Sequence, residues 1–330
     1  MIIKLGALGD VIRTIPIAKS LKNLFPESEI SWVTKKSSVE ILKTVKEIDK
    51  VFTIPFATKE EFDRLYNFDI EIGATSLAEK IGSKQKYGFY ADGDYVISFN
   101  IGAEDYLNTL FDDETKKTNK KTYQELMFEA ADLPYNKEEF HLEIPKTDLN
   151  YADKFMLDNK IKTENLIGLH IGSAPRWPSK AWHEESIKKF ITLAKEKGFD
   201  IFLFAGPDDA EKQSKITQDL AAENIKVYKN NPHNSLMQFA SLANFCHALI
   251  CSDSMALHLS ISLKKPTLGL FFCTSPDEVE GYGILTKLVS PNLYEFFPEK
   301  MDQYNEELVK SISPEEVLTA LEKSLQDRNK

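Results

Sequence analysis

The chain has 330 residues, of which 42% are apolar and 28% charged, and its formal net charge is -10. That length allows about two domains with separate cores, the balance is that of a globular enzyme rather than a disordered chain, and the negative charge argues against a nucleic-acid partner, which needs a basic face. The longest apolar runs, at residues 201–205 and 268–272, fall far short of the roughly 20 residues of a membrane span.

Residues 1–5 read as a short first strand with no secretory leader ahead of it, so a cytoplasmic location is expected. The glycine-bounded turn 6–9 follows, and from Asp10 onward Val11, Ile15, Ala18, Leu21 and Leu24 recur at helical spacing, with Pro16 marking an irregular first turn or kink. Strands are expected at 30–34, 51–55 and 68–74, with helices at 39–45 and 59–66; this alternation implies a parallel sheet. From 87 to 135 the pattern is less regular: helix-like 103–111, polar 112–121 and helix-like 123–133, where specificity elements are expected. Residues 140–148 have strand character interrupted by Pro145, and a helix at 149–158 leads into a second domain.

The second domain opens on an apolar strand at 166–171. Gly172 to Pro178 cannot continue it, and Ile187, Phe190, Ile191 and Ala194 show helical spacing from His183 onward. Such a strand, loop and helix direct the amides of Gly172 and Ser173 and a helix N-terminus to one point, where a phosphate is favoured and Lys180 adds a cation. The spacing is neither the triphosphate-binding loop nor the dinucleotide fingerprint, and taken alone it is equally an ordinary turn with a surface lysine. The β-α beat then runs through strands at 199–205, 225–228, 248–251 and 267–272 and helices at 209–223, 235–243 and 254–263. The last helix, 314–326, is introduced by the capping pattern Ser313-(x)2-Glu316. Cys246, Cys251 and Cys273 form no Cys-x-x-Cys pair and read as buried thiols; they and the six histidines lack metal-ligand spacing, so no metal and no cofactor is expected.

Three stretches together resemble glycosyltransferase family 9, the bacterial heptosyltransferases. They are Leu5-Gly-Ala-Leu-Gly-Asp-Val-Ile-Arg-Thr-Ile-Pro16, then His170-Ile-Gly-Ser-(x)3-Trp-Pro-Ser-Lys-Ala-Trp182, and Ser252-Asp-Ser-Met-Ala-Leu-His258 followed by Lys265-Pro266 and Cys273-Thr-Ser-Pro276. They fall in the family's order and roughly its spacing. The resemblance implies the GT-B class, two doubly wound Rossmann-like domains facing a central cleft. The expected division is an acceptor domain, 1–150, and a nucleotide-sugar donor domain, 151–330, with the last helix, about 313–327, crossing back onto the first domain.

The residues fit glycosyl transfer from a nucleotide-diphosphate sugar. An acceptor hydroxyl needs a general base, and Asp10 lies on a turn at the carboxyl end of the first strand, where such sheets bind ligands. From the residues alone it serves equally well as a helix cap; the resemblance favours the base. The departing diphosphate requires fixed positive potential, for which Lys180, Gly172 and Ser173 are candidates, with the helix N-terminus at Ser254, Met255 and Ala256. Met255 stands where the family usually has glycine, which leaves those amide contacts open. The resemblance gives Asp253 the sugar hydroxyls, although Asp253 is equally placed to cap its helix. His258 is either structural or reaches the diphosphate. Asp209 or Glu211, at a strand's carboxyl end, is expected to hold the ribose. Gly9 and the basic pair Lys35-Lys36 are assigned to the acceptor, and Lys116 to Lys121 form a second basic run. Trp177 and Trp182 read as packing residues.

The expected activity is metal-independent, inverting heptosyl or hexosyl transfer from an ADP-activated donor to a lipopolysaccharide core or related glycan, an anionic acceptor at the inner membrane surface. A nucleotide-sugar epimerase of the same fold and a catalytically silent nucleotide-sugar-binding protein are the alternatives.

Overall fold

The computed structural model describes residues 1–327, which divide into two compact units: residues 1–142 with 277–280, and residues 143–276 with 281–327. The expected boundary at 150 therefore moves to 142, because the helix Lys146–Asp158 belongs wholly to the second unit. Its Ala152 and Met156 are buried, and Phe155 stacks on Phe202 of that unit's sheet.

The first unit holds strands β1 (Ile2–Ile3), β2 (Ser31–Thr34), β3 (Lys50–Thr53), β4 (Glu61–Asn67), β5 (Gly82–Asp92) and β6 (Tyr95–Ser98). Their order is β3-β2-β1-β4-β5-β6; all neighbours are parallel except β6, which returns antiparallel to β5. Ile3, Leu5, Val33, Leu65, Ala74, Ala78 and Ile81 form its core. Pro16 splits the first helical run into Leu8–Thr14 and Pro16–Leu24, since a ring at that position cannot donate to the preceding turn.

The second unit holds β7 (Leu166–His170), β8 (Asp200–Phe204), β9 (Tyr228–Lys229), β10 (Ala248–Ser252), β11 (Thr267–Phe271) and β12 (Leu285–Val289). They lie in the order β12-β11-β10-β7-β8-β9, all parallel. Read from either end, both sheets repeat one winding, with the chain reversing direction beside the first strand: between β1 and β4, and between β7 and β10. Ligands of doubly wound sheets bind at that break, beyond the strands' carboxyl ends.

Four expectations fail. Residues 59–66 are not a helix but mostly β4, which is hydrogen-bonded between β1 and β5. Residues 68–74 are not a strand: they form a loop and the start of the helix Ile72–Lys80, whose first residue is 83% exposed. No strand forms at 140–148. The last helix, Pro314–Asp327, expected on the first unit, buries its apolar face in the second: Val317, Leu318 and Leu321 join Ile187, Ile191 and Leu268 in one core. The hairpin β5–β6 and the strand β12 were not foreseen.

Candidate active site

In the first unit, β1 ends at Ile3 and the helix Leu8–Thr14 opens at the break in strand order. Ala7 is the N-cap, and Asp10 is the third helical residue, so the capping role does not hold. Asp10 Oδ1 instead receives a hydrogen bond from Arg13, one turn on, at 2.5 Å. The Arg13 guanidinium lies over the Tyr123 ring, 4.0 Å from its centroid. Tyr123 is buried and meets Tyr106 edge-on at 5.8 Å, and its hydroxyl is 3.0 Å from Thr14 Oγ1, which donates to the Asp10 carbonyl. Beneath them Lys4, itself buried, donates to the Phe68 carbonyl at 2.8 Å and lies 3.6 Å from Asp69. Burial alone would lower its ammonium, but the carboxylates of Asp69 and Asp10 beside it hold it above the usual lysine range. Asp69 accepts from the amides of Leu5 and Gly6; at Gly6 a side chain would meet Asp69 Oδ2 at 3.1 Å and Lys4 Nζ at 3.2 Å. Burial raises the Tyr106 and Tyr123 phenols, so both are neutral.

The other acceptor-side candidates divide. Gly9 is buried in the helix. Lys35 is engaged by Glu71 at 2.6 Å, while Lys36 is exposed. In the second basic run, Lys120 pairs with Asp277, and Lys121 with Asp105 and Glu129.

In the second unit the loop after β7 is fastened from below. Ser179, fully buried, donates to the Gln303 carbonyl at 2.8 Å and accepts from the Asn305 amide at 2.9 Å. Trp182 is core, its indole donating to the Ile312 carbonyl, whereas Trp177 carries Arg176 over its ring. Lys180, held between them, extends to Asp253 at 2.9 Å, and both side chains are 16% exposed. His258 Nε2 stands 3.8 Å from the other Asp253 oxygen. Cys273 is close enough that both charges act on its thiol, which burial pushes up to about 11. Lys180, Asp253 and His258, widely separated in sequence, thus form one cluster at the break between β7 and β10. The helix Met255–Ser262 starts beside it with no side-chain cap, and the Ser254 hydroxyl is buried without a partner. A helix start of this kind leaves the Met255 and Ala256 amides directed toward an incoming anion.

The third group lies beyond β7 and β8. A side chain at Gly172 would come within 2.1 Å of Asp209 Oδ2, so only glycine allows that approach. Asp209 is half-buried; burial raises its carboxyl, opposed by Lys212. Glu211 and Asp208 are exposed. Lys212 donates to the Ile171 carbonyl at 3.2 Å, and burial lowers its ammonium. His170 is pushed down to about 4 by burial, with Lys212 adding to the shift. Ser173 is half-buried in the same loop.

Sequence reasoning did not find Arg13, Lys4, Asp69, Tyr106, Tyr123, His170 or Lys212. Lys4 carried a signal, as the one charge in an apolar strand; the tyrosines carried none. All three cysteines are buried. Among the described residues no group of three or more His, Cys, Asp or Glu side chains is placed to hold a metal ion, and no helix is long and apolar enough to cross a membrane.

Two Rossmann-like units, each with charged side chains at the break in its strand order, have the α/β architecture of the GT-B class. The sequence profile of glycosyltransferase family 9 (heptosyltransferase) matches residues 58–308, and the chain belongs to that family. It is 20% identical to the lipopolysaccharide core heptosyltransferase OpsX of Haemophilus influenzae over 313 residues, 88% of this chain and 83% of the relative. A family 9 glycosyltransferase from Veillonella parvula superposes with a TM-score of 0.77 at 21% identity, covering 99% of this chain and 96% of that one. The E. coli ADP-heptose lipopolysaccharide heptosyltransferase II superposes at 0.72 and 17%, covering 100% and 99%.

Proposed function

We propose that this glycosyltransferase moves a heptose from an ADP-activated donor to a lipopolysaccharide core sugar or related anionic glycan, with inversion and without a metal. The observation that carries the reading is the Lys180–Asp253–His258 cluster at the break in the second sheet. It offers a cation for a diphosphate and a carboxylate for sugar hydroxyls, beside a helix start whose Ser254 hydroxyl has no partner. The names of the relatives supply the sugar and the base.

On this reading Lys180, the amides of Gly172 and Ser173, and the Ser254–Ala256 helix start hold the diphosphate as it gains charge, the term that usually contributes most to such a reaction. Asp253 accepts from the sugar. Asp209 takes the ribose in preference to Glu211, because it is half-buried against Gly172 while Glu211 is exposed. Asp10 receives the proton of the acceptor hydroxyl as the oxygen attacks the anomeric carbon from the face opposite the diphosphate, which inverts that centre. Gly9, Lys35 and Lys36 are the acceptor-side groups, with Lys36 the more available cation.

The test is acceptor-dependent release of ADP from ADP-heptose, with the anomeric configuration of the product read by NMR. Lys180→Ala should lower kcat/KM roughly 10- to 100-fold, the equivalent of one charge-assisted hydrogen bond. Conversion of the sugar without any acceptor would replace transfer by epimerisation. Binding of ADP-heptose with no turnover at all would make the protein a nucleotide-sugar carrier.

A further inference from the structure

We propose that Arg13 is a positioning residue: clamped on the Tyr123 ring, it fixes the direction of the Asp10 carboxylate and keeps it ionised for proton acceptance. The inference rests on Asp10 as the general base, and it explains a group that a simple base does not require.

The geometry is over-determined. Arg13 donates to Asp10 Oδ1 at 2.5 Å, so the carboxylate is pinned through one oxygen one turn along its own helix. A guanidinium on a long side chain would ordinarily swing free, but its Cζ lies 4.0 Å from the Tyr123 centroid, well inside cation-π range. Tyr123 in turn cannot move. It is 3% exposed, edge-on to Tyr106, joined through its hydroxyl to Thr14, and its amide donates to the Glu278 carbonyl at 2.9 Å. The chain of contacts therefore runs from a buried ring to the carboxylate, and back through Thr14 Oγ1 to the Asp10 carbonyl. A base held this way meets its proton in one orientation, the condition under which positioning contributes to rate.

Charge acts in the same direction. Among the ionisable groups around Asp10 are the cations Arg13, on its own helix, and Lys4, from β1, with the neutral phenols of Tyr106 and Tyr123. These two cations favour the ionised carboxylate. Arg13 is the nearer cation, and Lys4 is shared with Asp69.

Three variants test this in the intact chain, with folding and ADP affinity checked first. Arg13→Gln should lower kcat at least 10-fold with little change in donor KM, and move the acid limb of the kcat profile up by about one pH unit. Arg13→Lys keeps the charge without the planar fork, so it should restore the acid limb but not the full rate. Tyr123→Leu leaves Arg13 in place without its support and should lower kcat while sparing donor KM. If Arg13→Gln does not fold, Arg13→Lys and Tyr123→Leu still decide: wild-type kcat in both would overturn the proposal. An acid limb unmoved in Arg13→Gln would overturn it as well. Asp10→Asn separates the two claims: if it turns over normally, the base assignment itself fails, whereas an inactive Asp10→Asn beside a normal Arg13→Gln removes only the positioning role.

Discussion

At the carboxyl end of β7, the His170 imidazole is held at about 4 against an ordinary 6.5. Folded protein thus binds fewer protons than unfolded chain between those values. This contribution to stability is complete above pH 6.5 and is lost as the pH falls toward 4. On moving from pH 7 to pH 5 it should remove about 2 kcal/mol, measured by urea unfolding, and His170→Gln should remove that part of the dependence. A different outcome is expected at Asp10. Because it is inside its helix and not the cap, Asp10→Asn should fold and bind ADP normally. Turnover should fall roughly 10²- to 10⁴-fold, the usual contribution of a general base; retention of more than about a tenth of the rate would remove Asp10 from that role. Asp10, Lys180 and Asp253 could be singled out as candidates in the sequence because each sits in a short motif. Arg13 could not be given a purpose there, since the ring that holds it comes from Tyr123, and only folding brings the two together.

Among the elements, the loop after β7 joins sequence and site most closely. Gly172 is needed because the Asp209 carboxylate occupies the space a side chain would take. Gly172→Ala should displace Asp209 and weaken ADP binding about 10-fold or more, with a smaller effect on global stability; calorimetric titration would show it, and unchanged affinity would mean that Asp209 does not touch the nucleotide. The alternation of strand and helix was legible across most of the second unit, where buried parallel strands are short apolar runs. It failed at β4 for an identifiable reason. Phe62, Leu65 and Tyr66 fall at i, i+3 and i+4, mimicking a helix, and Phe68, Ile70 and Ile72 alternate like a strand although Ile72 points to solvent. Pairing with β1 and β5 overrides the first of these local patterns.

For the molecule as a whole, the two units have separate cores, and the last helix completes the second. Ending the chain before Pro314 would strip Val317, Leu318 and Leu321 from it. At roughly 2 to 5 kcal/mol for each large side chain lost, this is as large as the whole margin of an ordinary domain. Scanning calorimetry of the truncated protein should show the second unit's transition and its response to ADP both gone; an intact ADP response would contradict that placement of the helix. The expectation that this helix reaches the first unit came from resemblance, and periodicity could supply only its apolar face, not the surface that face meets. One further feature joins the units in time. Residues 277–280 belong to the first unit, and the Glu278 carbonyl receives the amide of Tyr123. A ribosome must therefore translate through β11 of the second unit before the ring beneath Arg13 acquires its last backbone anchor. A nascent chain released early, even one holding every residue up to 142, lacks that anchor.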